Sequence, residues 1–342
     1  MGKTWFNSPM TLDALYRAVR QRLSLAGIDD PGGEAVMLLT HFCGCSREML
    51  FAHGKERTAD AVKAVEEAAA QRAAHRPLQY ILGRWSFMGF LLSVGEGVLI
   101  PREDTAVLVE HAADFLVEKH SKTPVLLEEK RGETPAKVSS FAHPIFGESR
   151  RTLVGVDLCA GSGAVALALC RAYAERIMPA AAFQDEAVSQ EAKPKLRITA
   201  VEYSDGAYDY LMRNLRAYPQ YPVTPRKGDV LDPLLAAAME PLDFITANPP
   251  YIESAQLPRL QAEVQREPAM ALDGGADGLL FYRAIAELWL QRLRPGGRLA
   301  VEIGESQGAA VCGILKNAGC DQLQVYQDLA GLDRVVSGVK KQ

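Results

Sequence analysis

Leu153-Val-Gly-Val-Asp-Leu-Cys-Ala-Gly-Ser-Gly-Ala-Val-Ala-Leu-Ala-Leu-Cys170 decides the fold. Residues 152–158 form a short, mostly apolar run, as expected of a strand covered on both faces. Gly161 and Gly163 permit a tight turn there, and an alanine- and leucine-rich helix opens at once. Strand, glycine turn and helix in that order begin a doubly wound α/β sheet. In such a sheet ligands bind outside the carboxyl ends of the strands.

The alternation continues outward from that unit. Residues 197–203 read as a strand and 205–218 as a helix. Then come a strand at 242–248, a helix at 278–293, a strand at 298–304 and a helix over about 306–318. Strands at 321–329 and 333–339 close the chain. The expected class is α/β, with a Rossmann-like sheet.

The N-terminal part has a different period. Thr11 can cap a helix whose Leu12, Leu15, Val19 and Leu23 fall on one face before Gly27. A second helix over 33–43 carries Val36, Met37, Leu38 and Leu39. Ser46 can cap a short third helix through Phe51, and Thr58 can start an alanine-rich fourth toward His75, ended by Pro77. From 79 to 101 the apolar residues Tyr80, Ile81, Trp85, Phe87, Phe90, Leu92, Val94, Val98 and Ile100 are punctuated by Gly83, Gly89, Gly95 and Gly97. That pattern predicts short strands in hairpins. A helix is expected over 105–118, and the polar stretches 119–151 and 178–195 read as long surface loops. The expected organisation is a small helical-bundle domain over 1–77, a β-hairpin linker over 78–104, and the α/β domain over 105–342.

Composition narrows the function. The chain has 342 residues, 48% hydrophobic and 23% charged, with 38 basic against 42 acidic side chains and a net charge of −4. Bulk electrostatic attachment to nucleic acid is excluded by that balance. The first 76 residues carry ten Lys and Arg and nine Asp and Glu, which argues against a DNA clamp. The apolar run 158–170 has 13 residues and two glycines, against the roughly 20 needed for a membrane span. The N-terminal segment has charges at Lys3, Asp13 and Arg17 and no apolar signal core, so a cytoplasmic protein without membrane contact is expected.

Six cysteines show no metal-ligand spacing, and Cys43-Gly-Cys45 is too tight for a usual zinc pair, so no metal is expected. All six histidines precede residue 144. Chemistry in the C-terminal half must therefore proceed without imidazole.

The glycine turn admits three readings: a structural turn, a dinucleotide site matching G-x-G-x-x-A, and an S-adenosylmethionine site. Glu202, at the end of the second strand, falls where a carboxylate can accept both hydroxyls of a ribose. Asp229 falls where it can meet an adenine amino group, though an aspartate there also suits a turn. Asn248-Pro-Pro-Tyr251 separates the readings. It resembles the Asp/Asn-Pro-Pro-Tyr motif of methyltransferases acting on planar nitrogens, whose delocalised lone pair makes them poor nucleophiles. The Asn248 side-chain oxygen and the Pro249 carbonyl can accept the two hydrogens of such a nitrogen. Pro249 and Pro250 stiffen that geometry, and Tyr251 can pack on the flat target.

The motif alone leaves adenine N6, cytosine N4 and glutamine amide nitrogens as targets. Pro77-Leu-Gln-Tyr-Ile-Leu-Gly83, Gly97-Val-Leu-Ile-Pro-Arg102, Asn248-Pro-Pro-Tyr-Ile252, Glu267-Pro-Ala-Met-Ala-Leu-Asp-Gly-Gly275, Asp277-Gly-Leu279, Tyr282-Arg-Ala-Ile285, Glu302-Ile-Gly304 and Asp328-Leu-Ala-Gly-Leu-Asp-Arg-Val-Val336 resemble, in order, the HemK/PrmC-type protein-(glutamine-N5) methyltransferases. The resemblance implies S-adenosylmethionine as cofactor and the Gly-Gly-Gln glutamine of peptide chain release factors as substrate. It also implies that the helical domain helps dock the release factor; separately, no direct nucleic-acid binding and a monomer are expected. It assigns Cys159, Ala160, Gly161, Ser162, Gly163, Glu202, Asp229, Val230 and Asn248 to the cofactor. Asn248, Pro249, Pro250 and Tyr251 fall to the glutamine and to catalysis.

Two departures stand out. Cys159 replaces a glycine usual in that family, and Ile100-Pro-Arg-Glu-Asp-Thr105 replaces Ile-Pro-Arg-Pro-Glu-Thr. The competing readings are a nucleic-acid N6-adenine methyltransferase, a non-catalytic nucleotide-binding adaptor and an NAD oxidoreductase. The last leaves Asn248-Pro-Pro-Tyr251 unexplained.

Overall fold

The structure, a computed structural model, describes residues 10–51, 59–122, 151–177 and 195–341. The chain divides into two compact units: Met1–Trp85 with Ser93–Glu96 and Arg259–Pro268, and Ser86–Leu92 with Gly97–Pro258 and Ala269–Gln342.

The first unit is helical: α1 Leu12–Leu25, α2 Pro31–Cys43, α3 Arg47–Phe51, α4 Ala59–Ala73 and α5 Leu78–Leu82. Thr11 caps α1 by accepting from the Ala14 N–H at 3.2 Å. Asp30 caps α2, with Pro31 at its first position, where the missing N–H costs nothing. Leu12, Leu15, Val19 and Leu23 are all buried, as their spacing predicts, and join Leu38, Leu39, Val62 and Val65 in one core. The Ser46 hydroxyl accepts from the Met49 N–H ahead of α3, while the Thr58 cap lies outside the described residues. Arg72, buried, pairs with Glu34 and with Glu263 of the Arg259–Pro268 segment. Burial works against ionised Glu263, but hydrogen bonds from Arg72 and His75 hold its carboxyl down to about 2.

One sequence expectation fails here. Tyr80 and Ile81 lie in α5, not in a strand, so the stretch 78–104 opens as a helix. A short apolar run fits helix and buried strand equally. Gly83, at φ +69°, then stops the helix in the left-handed conformation that glycine adopts freely.

The hairpin follows as β1 Arg84–Phe87 and β2 Phe90–Ser93. Met88 and Gly89 turn it with φ of +42° and +81°, the pair of left-handed residues a two-residue hairpin requires. In the second unit come α6 Ala106–Lys122, β3 Leu153–Leu158, α7 Ala164–Ile177, β4 Leu196–Glu202, α8 Asp205–Ala217, β5 Val223–Lys227, α9 Pro233–Ala237 and β6 Leu242–Ala247. α10 Leu280–Ala284 runs on as a π turn, Ile285–Trp289, and a 3-10 turn, Leu290–Arg292. β7 Leu293–Glu302, α11 Gly308–Asn317, β8 Cys320–Gln327 and β9 Asp333–Lys340 complete it. β7 starts before the expected 298, and α6 extends helix through 122, where the sequence suggested loop. The rest of the two polar stretches, 123–150 and 178–194, lies outside the described residues.

The sheet order is β5-β4-β3-β6-β7-β9-β8. β3 pairs in parallel with β4 and β6, while β9 runs antiparallel to β7 and β8. Residues of α6, α7 and α8 fill the core on one face, and those of α9, α10 and α11 the other. The chain steps outward from β3 to β5, then returns to β6 on the far side of β3. Strand order reverses there, which is where an open α/β sheet leaves a crevice. Leu158 stands opposite both Val201 and Ala247. The residues that follow each, Cys159, Glu202 and Asn248, therefore leave the sheet at one level.

At the opposite end of β6, fully buried Asp243 accepts from the Val154 N–H and is ringed by Lys119, Arg151 and Arg294. Burial opposes its charge. The hydrogen bonds from Arg151 and Val154 and the nearby cations outweigh it, so the carboxyl sits below its usual range.

Candidate active site

The glycine turn is built by backbone bonds that only a few residue types permit. The Ala160 N–H donates to the Val201 carbonyl and the Gly163 N–H to the Ala160 carbonyl, and the Gly163 carbonyl accepts the first bond of α7. Gly163 has φ +83°, and a Cβ there would stand 2.7 Å from Leu211 Cδ1. Gly161 has φ +54°, and its Cβ position meets only Val98 Cγ2, at 4.0 Å. Cys159, at φ +57°, is the non-glycine exception. Burial, then the carboxylates of Glu202, Asp157 and Asp229, hold its thiol well above the usual range, so it is neutral. Buried Ser162 offers its carbonyl to Asn214 Nδ2 at 2.9 Å, fixing the turn to α8.

Glu202 links the turn to the end of β4. One carboxylate oxygen accepts from the Gly161 N–H at 2.8 Å, the other from the Ser204 N–H at 2.7 Å. Burial raises its pKa, opposed by the backbone N–H groups of Ser204, Gly161 and Tyr203 and by Lys227. A carboxylate has about four acceptor sites, so acceptor capacity remains for a ligand beside Gly161. Asp229, partly buried, accepts from the Leu231 N–H at 2.9 Å, the turn role its sequence also suggested. The Val230 side chain is in the core, and its carbonyl accepts from Trp289 Nε1. The open Cβ space at Gly161, a strand-end carboxylate and a turn aspartate fit a nucleoside cofactor.

Asn248, Pro249, Pro250 and Tyr251 follow β6 directly, with both prolines buried. The backbone beyond them is gripped from one loop. The Ile252 N–H donates to the Leu272 carbonyl, and the Gly274 N–H donates to the Ile252 carbonyl. A Cβ on Gly278 would stand 2.4 Å from the Tyr251 carbonyl, which is why glycine occupies that position at φ +68°. Gln307 Nε2 donates to the Tyr251 carbonyl at 3.0 Å. The Tyr251 phenol is pushed up to about 12 by burial and the Glu302 charge, against the opposing cations of Arg334 and Arg102.

Several residues here were not named from sequence. Asn248 Nδ2 donates to Thr105 Oγ1 at 3.3 Å. Behind both lies Glu302, 2% exposed and, by the Ala247–Val301 pairing, level with Asn248; interaction with the Thr105 and Asn248 side chains favours its ionised form. Its Oε2 has no partner among the described residues. Burial pushes Glu302 up to about 7, and Asp157 likewise, the latter against a 2.8 Å hydrogen bond from Thr246. The segments containing Thr105 and Glu302 carry the family resemblance. No local spacing, however, marks them as partners of Asn248.

Fold and site together define a methyltransferase. A family described as the PrmC N-terminal domain matches residues 14–83. The release factor glutamine methyltransferase of Moorella thermoacetica is 37% identical over 334 residues, covering 95% of this chain and 97% of that one. The protein of the same name from Geobacter sulfurreducens is 33% identical, covering 93% of each chain. That from Caulobacter vibrioides is 32% identical, covering 97% of each. The chain belongs to the release factor glutamine methyltransferase family. Among the described residues no helix is long and apolar enough to cross a membrane.

Proposed function

We propose that this enzyme methylates the side-chain amide nitrogen of the glutamine in the Gly-Gly-Gln motif of peptide chain release factors, using S-adenosylmethionine. When bound, that cofactor supplies a methyl group activated by a sulfonium. Cys159 to Gly163, with Glu202, Asp229, Val230 and Asn248, form its site. Glu202 accepts from the ribose hydroxyls with the capacity its backbone bonds leave free. Asp229 Oδ1 is committed to its turn, so the adenine amino group falls to the other carboxylate oxygen.

The protein's work on the substrate is positional. Asn248 Oδ1 and the Pro249 carbonyl accept the two amide hydrogens and aim the nitrogen. Tyr251 lies against the flat amide, and Pro249 and Pro250 keep the acceptors rigid. As the nitrogen gains the methyl it gives up one proton. The observation that carries this reading is the register. It brings the glycine turn, Glu202 and Asn248 out of the sheet at one level, beside the strand-order reversal.

The helical domain over 1–77 docks the release factor, the hairpin region over 78–104 links it, and 105–342 carries the chemistry. The enzyme acts as a monomer in the cytoplasm. Labelled S-adenosylmethionine offered with a release factor and with duplex DNA in parallel tests the function. Label is expected in the release factor, and label confined to DNA would establish the N6-adenine alternative instead.

A further inference from the structure

We propose that Glu302 is a positioning residue for methyl transfer: with Thr105 it holds the Asn248 carboxamide so that its oxygen, not its NH2 group, faces the incoming substrate amide. The inference deepens the function proposed above and rests on it.

A carboxamide is nearly symmetric in shape, and half a turn about its last bond exchanges acceptor for donor. The substrate group is itself an NH2. Asn248 turned the wrong way would set donor against donor and leave the nitrogen unaimed. Nothing in Asn248-Pro-Pro-Tyr251 makes the choice, because the prolines fix the main chain and not the asparagine's terminal torsion.

The choice is made behind the motif. Ionised Glu302 is an acceptor only. It must therefore take its hydrogen bonds from the Thr105 hydroxyl and the Asn248 NH2. Once the Thr105 hydrogen is committed to Glu302, the hydroxyl offers Asn248 a lone pair, matching the 3.3 Å contact from Nδ2. Both Asn248 N–H groups then point inward and Oδ1 is left for the substrate. Thr105 is 3% exposed and Glu302 2%, so water does not compete for these bonds. A buried carboxylate with an unpartnered oxygen is costly. That cost is understandable where the acceptor sets the direction of a working side chain.

Protonation reverses the logic. A neutral Glu302 can donate to Asn248 Oδ1 and favour the turned amide, and with the carboxyl at about 7 this change falls near neutral pH. The charges facing Glu302 are Arg334 on β9, which favours its ionised form, and Asp104 in the turn before α6, which opposes it. The neighbouring phenols, Tyr251 at about 12 and Tyr282 well above its usual value, stay neutral. Asp157 also titrates near 7 but answers to Thr246, Ala166 and Glu202.

The test uses the full chain, S-adenosylmethionine and a release factor. Glu302→Gln preserves shape but brings its own NH2 and cannot enforce the orientation. Its kcat should fall by about 10²-fold, the usual cost of a misplaced reacting group, with KM and cofactor Kd unchanged. The wild-type kcat should rise with pH through a midpoint near 7, and that limb should disappear in the variant. Thr105→Val should lose activity similarly, and Thr105→Ser should recover it. The Thr105 pair decides the matter if Glu302→Gln does not fold. Wild-type kcat and an intact acid limb in Glu302→Gln, or equal activities for Thr105→Val and Thr105→Ser, overturn the inference alone. A wild-type enzyme inert toward the release factor overturns the inference together with the proposed function.

Discussion

Exchanging Glu302 for glutamine should stabilise the folded protein above neutral pH and change little in acid. Unfolded, this carboxyl ionises near 4.5, whereas folded it ionises at about 7, chiefly because burial penalises its charge. Each unit of such a shift is worth about 1.4 kcal/mol, so ionisation costs the folded state about 3 kcal/mol relative to the unfolded one. The sign follows from proton counting. Between the two values the folded chain holds a proton that the unfolded chain has lost. The stability contribution is thus complete below 4.5, declines as pH rises, and is gone above about 7. Glutamine carries no such proton. Asp243 and Glu263, whose carboxyls are held low, slope the other way but are common to both proteins. Equilibrium denaturation of wild type and Glu302→Gln across the pH range isolates the difference, which should grow to about 3 kcal/mol in favour of the variant. Parallel stability curves would refute the reasoning, since Glu302 would then ionise alike in folded and unfolded chains.

Asp243→Asn should destabilise the second unit by about 3 kcal/mol, because Lys119, Arg151 and Arg294 lose a fully buried partner; denaturant titration measures it. Gly163→Ala forces a side chain into left-handed backbone 2.7 Å from Leu211 Cδ1. It should cost about 1–3 kcal/mol and weaken S-adenosylmethionine binding by calorimetry. Cys159→Gly relieves a non-glycine residue at φ +57° and should raise the melting temperature, by the equivalent of about 1 kcal/mol.

Sequence periodicity read the α/β core well because its strands are buried on both faces and its helices carry broad apolar stripes. Leu158, Val201 and Ala247, adjacent in the sheet, all lie in runs predicted as strands. It erred at Tyr80 and Ile81, where a run too short to show a period packs as helix against the first unit's core. The helix expected over 278–293 changes to π and 3-10 geometry after Ala284, and composition carries no sign of that. At the site, the residues proposed to meet the ligands were legible because glycine turns and Asn-Pro-Pro-Tyr are local signals. Their supports were not. Thr105 and Asn248 are 143 residues apart in sequence, and the Glu302 carboxyl that joins them comes from a third element. Such contacts exist only once the sheet has set its register. Cys159 is intermediate: the departure from glycine is visible in sequence, but its cost appears only with the positive φ.

The central claim is that Asn248 aims a glutamine amide at an activated methyl. Mass mapping of a release factor after incubation with S-adenosylmethionine and either wild type or Asn248→Ala tests it directly. One methyl group is expected on the Gly-Gly-Gln glutamine with wild type. With Asn248→Ala the rate should be lower by about 10²–10³-fold, as on loss of one preorganised hydrogen-bonding group. A methyl group placed elsewhere, or the same glutamine methylated equally fast by both proteins, would contradict the account.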